Sequence, residues 1–450
     1  MADQTDEAGT PPLAPPVQQA GFKGWYAVVM MAVVVMLAQV DRNIISLMVQ
    51  PMKRDLGLSD TQIGLLTGLA FSVTYALIGP PVARFADRGF RKPVVIASLA
   101  IWSVATSLCG MAQNFWQYFL GRAVIGGAES GSSPASLSMI ADVVPRDKLP
   151  RAYAIYVTGF VAGGAIAMTA GGLLLGALEG MEPLHVAGIG LIRDWQLVMI
   201  LLGLPGLLVA ALIAVTVPEP QRRAGHKPKG YPLREVFGFL IANRRMHGPM
   251  LAASLLNSMQ SFGTVAWMTA FYERTYGWGP AKAGPILGPT NMAMSLVGLF
   301  VGAWLAERLG KTRDDANLRV MFLANSLSVP FLIMSPLMPG PWLAVGLGAL
   351  GNGVAAMAGA GYNSSLQVAT PNAMRGQINA LYLFVIAAVG GTLGPLLIGM
   401  LTDFVAGREE YLRYVLVGFR LVLAPLDAYL LWMAIRPYGK AVRERVLAGD

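Results

Sequence analysis

Twelve stretches of the chain each stay apolar for about 20 residues, the length a helix needs to cross a bilayer core of about 30 Å. They fall at approximately 25–48, 61–84, 93–112, 115–141, 151–178, 195–217, 248–273, 282–306, 318–337, 341–368, 376–404 and 411–435. The boundary between the ninth and tenth rests mainly on Pro336, Pro339 and Pro341. Composition agrees: 55% of the 450 residues are hydrophobic and 13% charged, against about 45–50% and about 25% in soluble domains. Too little polar surface remains to face water, which argues against a soluble enzyme and a fibrous or disordered chain. The 52 glycines suit membrane helices whose backbones approach closely. The expected fold class is an all-α membrane protein with twelve transmembrane helices in two pseudo-symmetric six-helix bundles.

Lys and Arg set the orientation. With the N-terminus in the cytoplasm, 24 of the 34 basic residues fall in cytoplasmic segments, 7 outside, and Arg42, Arg122 and Arg420 within helices. That bias puts both termini in the cytoplasm of a plasma or inner membrane. It also explains the net charge of +9 without nucleic acid. Residues 1–22 hold Asp3, Asp6, Glu7 and four prolines; no basic start precedes an apolar core, so a disordered tail rather than a signal peptide is expected. The largest basic loop, 218–247, separates an N-terminal bundle at 23–217 from a C-terminal bundle at 248–436, and residues 437–450 form a cytoplasmic tail. Within the loop, 232–243 has the pattern of a short amphipathic helix lying on the membrane.

Other chemistries lack their residues. Cys109 is the single cysteine, and His185, His226 and His247 have no metal-ligand spacing. No Gly-x-x-x-x-Gly-Lys-Ser/Thr accompanies the glycine clusters. Nucleophile and base are not paired within the spans, so no enzyme activity and no cofactor are expected.

The halves echo each other. Arg84-Phe85-Ala86-Asp87-Arg88-Gly89-Phe90-Arg91-Lys92 follows the second span, and Trp304-Leu305-Ala306-Glu307-Arg308-Leu309-Gly310-Lys311 the eighth. The fifth and eleventh spans both begin after Pro and Arg and run into glycines, among them Gly159/Gly163 and Gly390/Gly394, spaced for close packing. Internal repeats of this kind suggest a transporter that rocks about a central site. On these residues, 23–440 resembles the major facilitator superfamily, whose signature after the second helix is Gly-x-x-x-Asp-Arg-x-Gly-Arg-Arg/Lys. Here Ala83 replaces the first glycine and the second has moved to Gly89, while Asp87, Arg88, Arg91 and Lys92 remain. Asp41-Arg42, Gly121-Arg122-Ala123-x-x-Gly126-x-x-Glu129 and Asp194-Trp195 with Gly203-x-Pro205-Gly206 are most similar to the spinster family of lipid transporters. Sugar-acid and anion transporters share parts of this pattern.

An ionised side chain at the bilayer centre costs at least about 2.5–3.5 kcal/mol, so charges inside spans are functional candidates. Asp41 and Arg42 lie in the outer half of the first span, Arg122 at similar depth in the fourth, and Glu129 seven residues further on the same face. The resemblance implies that both helices line the cavity. Four such charges sum to zero. Protonating one acid frees an arginine for an anionic headgroup, and linkage makes the effect reciprocal. Glu129 and Asp41 are therefore expected to carry protons, and Arg42 and Arg122 to contact substrate.

The seventh and tenth spans carry no acid. Asn257, Gln260, Ser261, Thr264, Trp267, Asn352 and Tyr362 make a neutral wall, with Met and Phe interspersed. Thr264, Trp267 and Tyr362 are the second-half candidates for substrate contact. A charged wall facing a neutral, apolar one suits an amphiphile. Arg420 and Asp427 on the twelfth span read as a peripheral structural pair, and Asp403 as interfacial.

The resemblance also implies a cytoplasmic gate. In it Asp87 sits near the start of the eleventh helix at Arg375-Gly376, where free N–H groups favour a carboxylate. Arg88 and Arg91 pair with Asp142, and Glu307-Arg308 do the weaker equivalent. The expected function is proton-coupled transport of a lipid-like amphiphile by a monomer. A transporter of a small organic anion or drug, and a membrane receptor or scaffold, remain open at this point.

Overall fold

The computed structural model describes residues 21–87, 89–188, 190–220, 231–371 and 374–448. Its helices are α1 (Phe22–Leu56), α2 (Asp60–Ala86), α3 (Arg91–Cys109), α4 (Phe115–Glu129), α5 (Ser132–Val143), α6 (Leu149–Leu178), α7 (Asp194–Thr216), α8 (Leu233–Ala242), α9 (Arg244–Tyr276), α10 (Pro280–Gly310), α11 (Ala316–Leu337), α12 (Pro341–Ala369), α13 (Arg375–Ala406) and α14 (Leu412–Ala448). Among the described residues, ten are long and apolar enough to cross a membrane. The expected fourth and seventh spans are present as rods that fall short for physical reasons. The fourth breaks at Ser130-Gly131 into α4 and α5. The seventh, α9, is diluted by Asn257, Ser258, Gln260 and Ser261.

Two local features depart from expectation and a third agrees with it. The last helix continues without a break through the residues expected as a tail, to Ala448. A small antiparallel hairpin, β1 (Leu184–Val186) with β2 (Gly190–Ile192), sits between α6 and α7. The linker holds α8, with Val236 buried and Leu233, Phe237 and Ile241 exposed. That exposed apolar stripe at four-residue spacing suits a helix lying against lipid. The N-terminal tail up to residue 20 and linker residues 221–230 lie outside the described residues.

Helices α1–α7 and α9–α14 form two sets. Their seam lies at the face opposite the chain ends. There α6 meets α10 through glycines: a Cβ on Gly284 would stand 2.3 Å from the Met168 carbonyl oxygen, and one on Gly172 would stand 2.7 Å from Pro285 Cδ. Helix α2 meets α13 as tightly, since a Cβ on Gly399 would stand 2.3 Å from the Asp60 carbonyl oxygen. Gly284→Val is expected to push α6 and α10 apart, and overpacking of this kind destabilises by about 1–3 kcal/mol. A thermal melt of the purified protein should show a lowered midpoint; an unchanged one would mean that the seam yields without strain.

Among the described residues, the side-chain hydrogen bonds and ion pairs that bridge the two sets lie at this same face. Arg274 of α9 donates to Asp60 at 2.7 and 2.8 Å and to Gln50 at 2.7 and 3.0 Å. Lys53 pairs with Asp60 at 2.6 Å and with Glu409 at 2.7 Å. Asp60 is fully buried. Asp403 is more than interfacial: it accepts from Thr61 N and Thr61 Oγ1 at 2.7 Å and from Asp60 N at 3.2 Å. It thereby satisfies the free N–H groups of the first turn of α2 from across the seam.

Candidate functional site

The four charges of the N-terminal set converge, and the contacts settle which pairs with which. Glu129 Oε1 receives Arg42 Nε at 2.6 Å and Arg42 Nη2 at 2.5 Å. Asp41 receives Arg122 Nη1 at 3.1 Å and the Thr106 hydroxyl of α3. Both guanidinium groups lie over the ring of Phe71, at 4.9 Å for Arg42 and 5.1 Å for Arg122, and Arg42 also covers Tyr75 at 4.8 Å. Cation–π contacts of this kind are worth about 0.5–2 kcal/mol, more when desolvated. Sequential neighbours on α1 thus reach different partners on α4, bridged by an aromatic platform on α2.

The pairs are not equally enclosed. Arg122, Glu129 and Asp41 are buried, while the Arg42 side chain keeps 28% exposure. Glu129 Oε2 and Arg122 Nε are buried without a hydrogen-bond partner. Glu129 is also the last residue of α4, just before the break, where Ser132 Oγ donates to its carbonyl at 2.8 Å. Chemically, the site offers one guanidinium that can meet a solute and one carboxylate oxygen that can take a proton.

The second set is not the neutral wall expected from its seventh and tenth spans. A cavity of about 400 Å³ lies there, lined by residues of α9, α10, α11, α12 and α14 and, from the first set, by residues of α1 and α6. Thr264 lines it and accepts from Arg420 at 3.2 Å. Arg420 and Asp427 both line it too, so they are not peripheral. Asn291 and Asn325, which sequence reasoning passed over, complete a polar lining with Asn257, Gln260 and Asn352. Their signal was present: amide side chains inside apolar spans.

Two expected contacts fall elsewhere. Trp267 is fully buried, its indole N–H donating to the Pro395 carbonyl at 3.0 Å, with Arg274 over its ring at 5.5 Å. It packs α9 onto α13 and takes no part in the cavity lining, although Thr264 and Gln260 lie on the same side of the helix. Tyr362 lies about 15 Å along α12 from Asn352 and packs against the core of Val236, Met250, Tyr382 and Tyr438 near the chain ends.

Of the expected gate residues, Arg91 is 1% exposed and contacts Asp142, Glu219 at 3.2 Å and the Pro220 carbonyl at 2.6 Å. It ties α3 to α5 and to the end of α7, all within the first set. Glu307 and Arg308 are exposed at the end of α10, with Arg308 over Trp304 at 5.3 Å. Arg88 and the side chain of Asp87 lie outside the described residues.

Comparison with known proteins agrees with this architecture. The family model for the Major Facilitator Superfamily matches residues 31–432. An MFS-type efflux pump of Mycolicibacterium smegmatis is 28% identical over 388 residues, covering 85% of each chain. Protein spinster homolog 1 of Xenopus tropicalis is 24% identical over 324 residues, 67% of this chain and 57% of that protein. The crystal structure of a bacterial homolog to the human lysosomal transporter Spinster, inward-facing and unoccupied, superposes with a TM-score of 0.79 at 24% identity, over 94% of this chain and 97% of that one. With its two helical sets, the seam between them and a match along most of its length, the chain is an integral multi-pass membrane protein that belongs to the Major Facilitator Superfamily of transporters.

Proposed function

We propose that this chain is a proton-coupled secondary transporter of an amphiphilic, lipid-like substrate, working by alternating access. The observation that carries the reading is the doubled carboxylate–guanidinium cluster Asp41–Arg122 and Arg42–Glu129 on the Phe71 ring, with Arg42 as its partly exposed member. Protonation of Glu129 weakens its hold on Arg42, which then takes an anionic headgroup; a bound anion in turn draws Arg42 away and favours the proton. Asp41 and Arg122 hold the deeper pair. The basic excess favours a cytoplasm at the face that holds the chain ends, opposite the seam; in that orientation the state described here is closed to the outside. Asp87, Arg88, Arg91 and Asp142, with Glu307 and Arg308, would contribute to closing the cytoplasmic face in the alternate state.

A second reading, export of a small organic anion or drug, is favoured by the polar lining of the second-set cavity and by the likeness to an efflux pump. One experiment separates them. Liposomes holding the purified protein are supplied with a labelled lysophospholipid, with and without a pH gradient. Gradient-driven accumulation is expected, with Glu129→Gln abolishing the response to pH while exchange without a gradient persists. Unchanged pH dependence in Glu129→Gln would remove the proton role. No movement of the lysolipid, with full activity on a small soluble anion, would replace the lipid reading by the second.

A further inference from the structure

The cavity of the second set contains an arrangement that proton coupling at Glu129 does not use. Arg420 and Asp427 are seven residues apart on α14, two helical turns along one face, about 10 Å along the axis. Neither neutralises the other. Arg420 has five N–H donors but its side-chain hydrogen bond in this cavity goes to the neutral hydroxyl of Thr264. No Asp or Glu carboxylate of the described residues forms an ion pair with it. Asp427 is 2% exposed; one oxygen accepts from Asn325 Nδ2 at 2.8 Å, the neutral amide of Asn257 stands beside the carboxylate, and Oδ1 is buried without a well-formed hydrogen bond. Asn325 Oδ1 is likewise unpartnered. On the antiparallel neighbour α9, Thr264 and Asn257 are also seven apart and line the same cavity, with Gln260 and Ser261 between them. The result is two rungs of opposite charge joined by amide and hydroxyl groups. A structural pair would place the charges in contact, since an isolated buried charge is strongly destabilising. Held apart with open bonding capacity, they complement something that carries both signs.

We propose that this cavity is a binding subsite for a zwitterion whose poles lie about 10 Å apart, its anionic group on Arg420 and its ammonium group on Asp427. The inference deepens the transport reading by naming a substrate class, but it rests on different residues. It favours a compound with an internal amine over a simple anion.

A series of ω-amino acids tests it. Binding of 4-aminobutyrate, 6-aminohexanoate, 8-aminooctanoate and 12-aminododecanoate to the full-length protein in nanodiscs is measured by calorimetry. Octanoate and octylamine serve as one-pole controls. Affinity is expected to peak at 8-aminooctanoate, whose extended chain spans the rungs. Arg420→Gln should weaken its binding about tenfold or more while leaving octylamine unaffected. Asp427→Asn should do the same while leaving octanoate unaffected. This crossed pattern cannot arise from misfolding, which would weaken all ligands alike. Absence of binding by any ω-amino acid, a length-independent series, or equal losses for zwitterion and controls would each overturn the subsite. Glu129→Gln should retain the length preference, so failure of proton coupling and failure of this subsite are distinguishable.

Discussion

Replacing Asp41 by Asn is expected to destabilise the protein by about 3–5 kcal/mol, the range for removing one member of a buried ion pair. Asn still accepts from the Thr106 hydroxyl, yet Arg122, 1% exposed and with its Nε already unpartnered, loses its counter-charge. The double variant Asp41→Leu/Arg122→Met should recover most of the loss, because a packed apolar pair of similar volume often matches a buried salt bridge. Urea or thermal unfolding in nanodiscs reads the stability, and liposome uptake reads the activity. The double variant is expected to be folded and to transport nothing above background. Full uptake by that variant would show the pair to be scaffolding alone.

The second large effect belongs to the seam. Asp60 is fully buried and is the carboxylate shared by Arg274 and Lys53. Asp60→Asn leaves two cations facing each other, with the half-exposed Glu409 as the carboxylate that still pairs with both. The closed seam should lose about 1.4–3 kcal/mol, a shift of about 10–100-fold in the ratio of the two conformers. Spin labels at Arg54→Cys and Glu410→Cys, both at exposed positions beside the seam, would report a longer distance population. Cys109 is buried and is the single native cysteine, so the labelling stays selective. An unchanged distance distribution would show that glycine packing alone holds the seam.

The helices were legible because a lipid solvent demands long apolar runs, and the four charges of the first set because charge within such runs has few explanations. The pairing was not legible. Asp41 and Arg42 are adjacent, and only the azimuth of α1 against α4 decides that Asp41 reaches Arg122 and Arg42 reaches Glu129. The break at Ser130-Gly131 left no mark, since small residues keep the run unpolar. For α14 the difficulty was different. A helix apolar on every side offers no inward face, so Arg420 and Asp427 could be given a depth but not a direction. Trp267 and Thr264 show the same limit: neighbours three residues apart on one side of α9, one packs onto α13 and the other lines the cavity.

The polar row along α9 has a consequence for how the protein is made. Arg122 and Glu129 enter the membrane after α1 has already delivered Asp41 and Arg42, so their partners are waiting. The row Asn257–Thr264 emerges from the ribosome before α11 and α14, which supply Asn325 and Arg420. Until then it must stay at the insertion machinery or rest against provisional neighbours, because lipid offers it no hydrogen bonds. The first set can thus settle during synthesis, whereas the second is completed only when the final helix arrives.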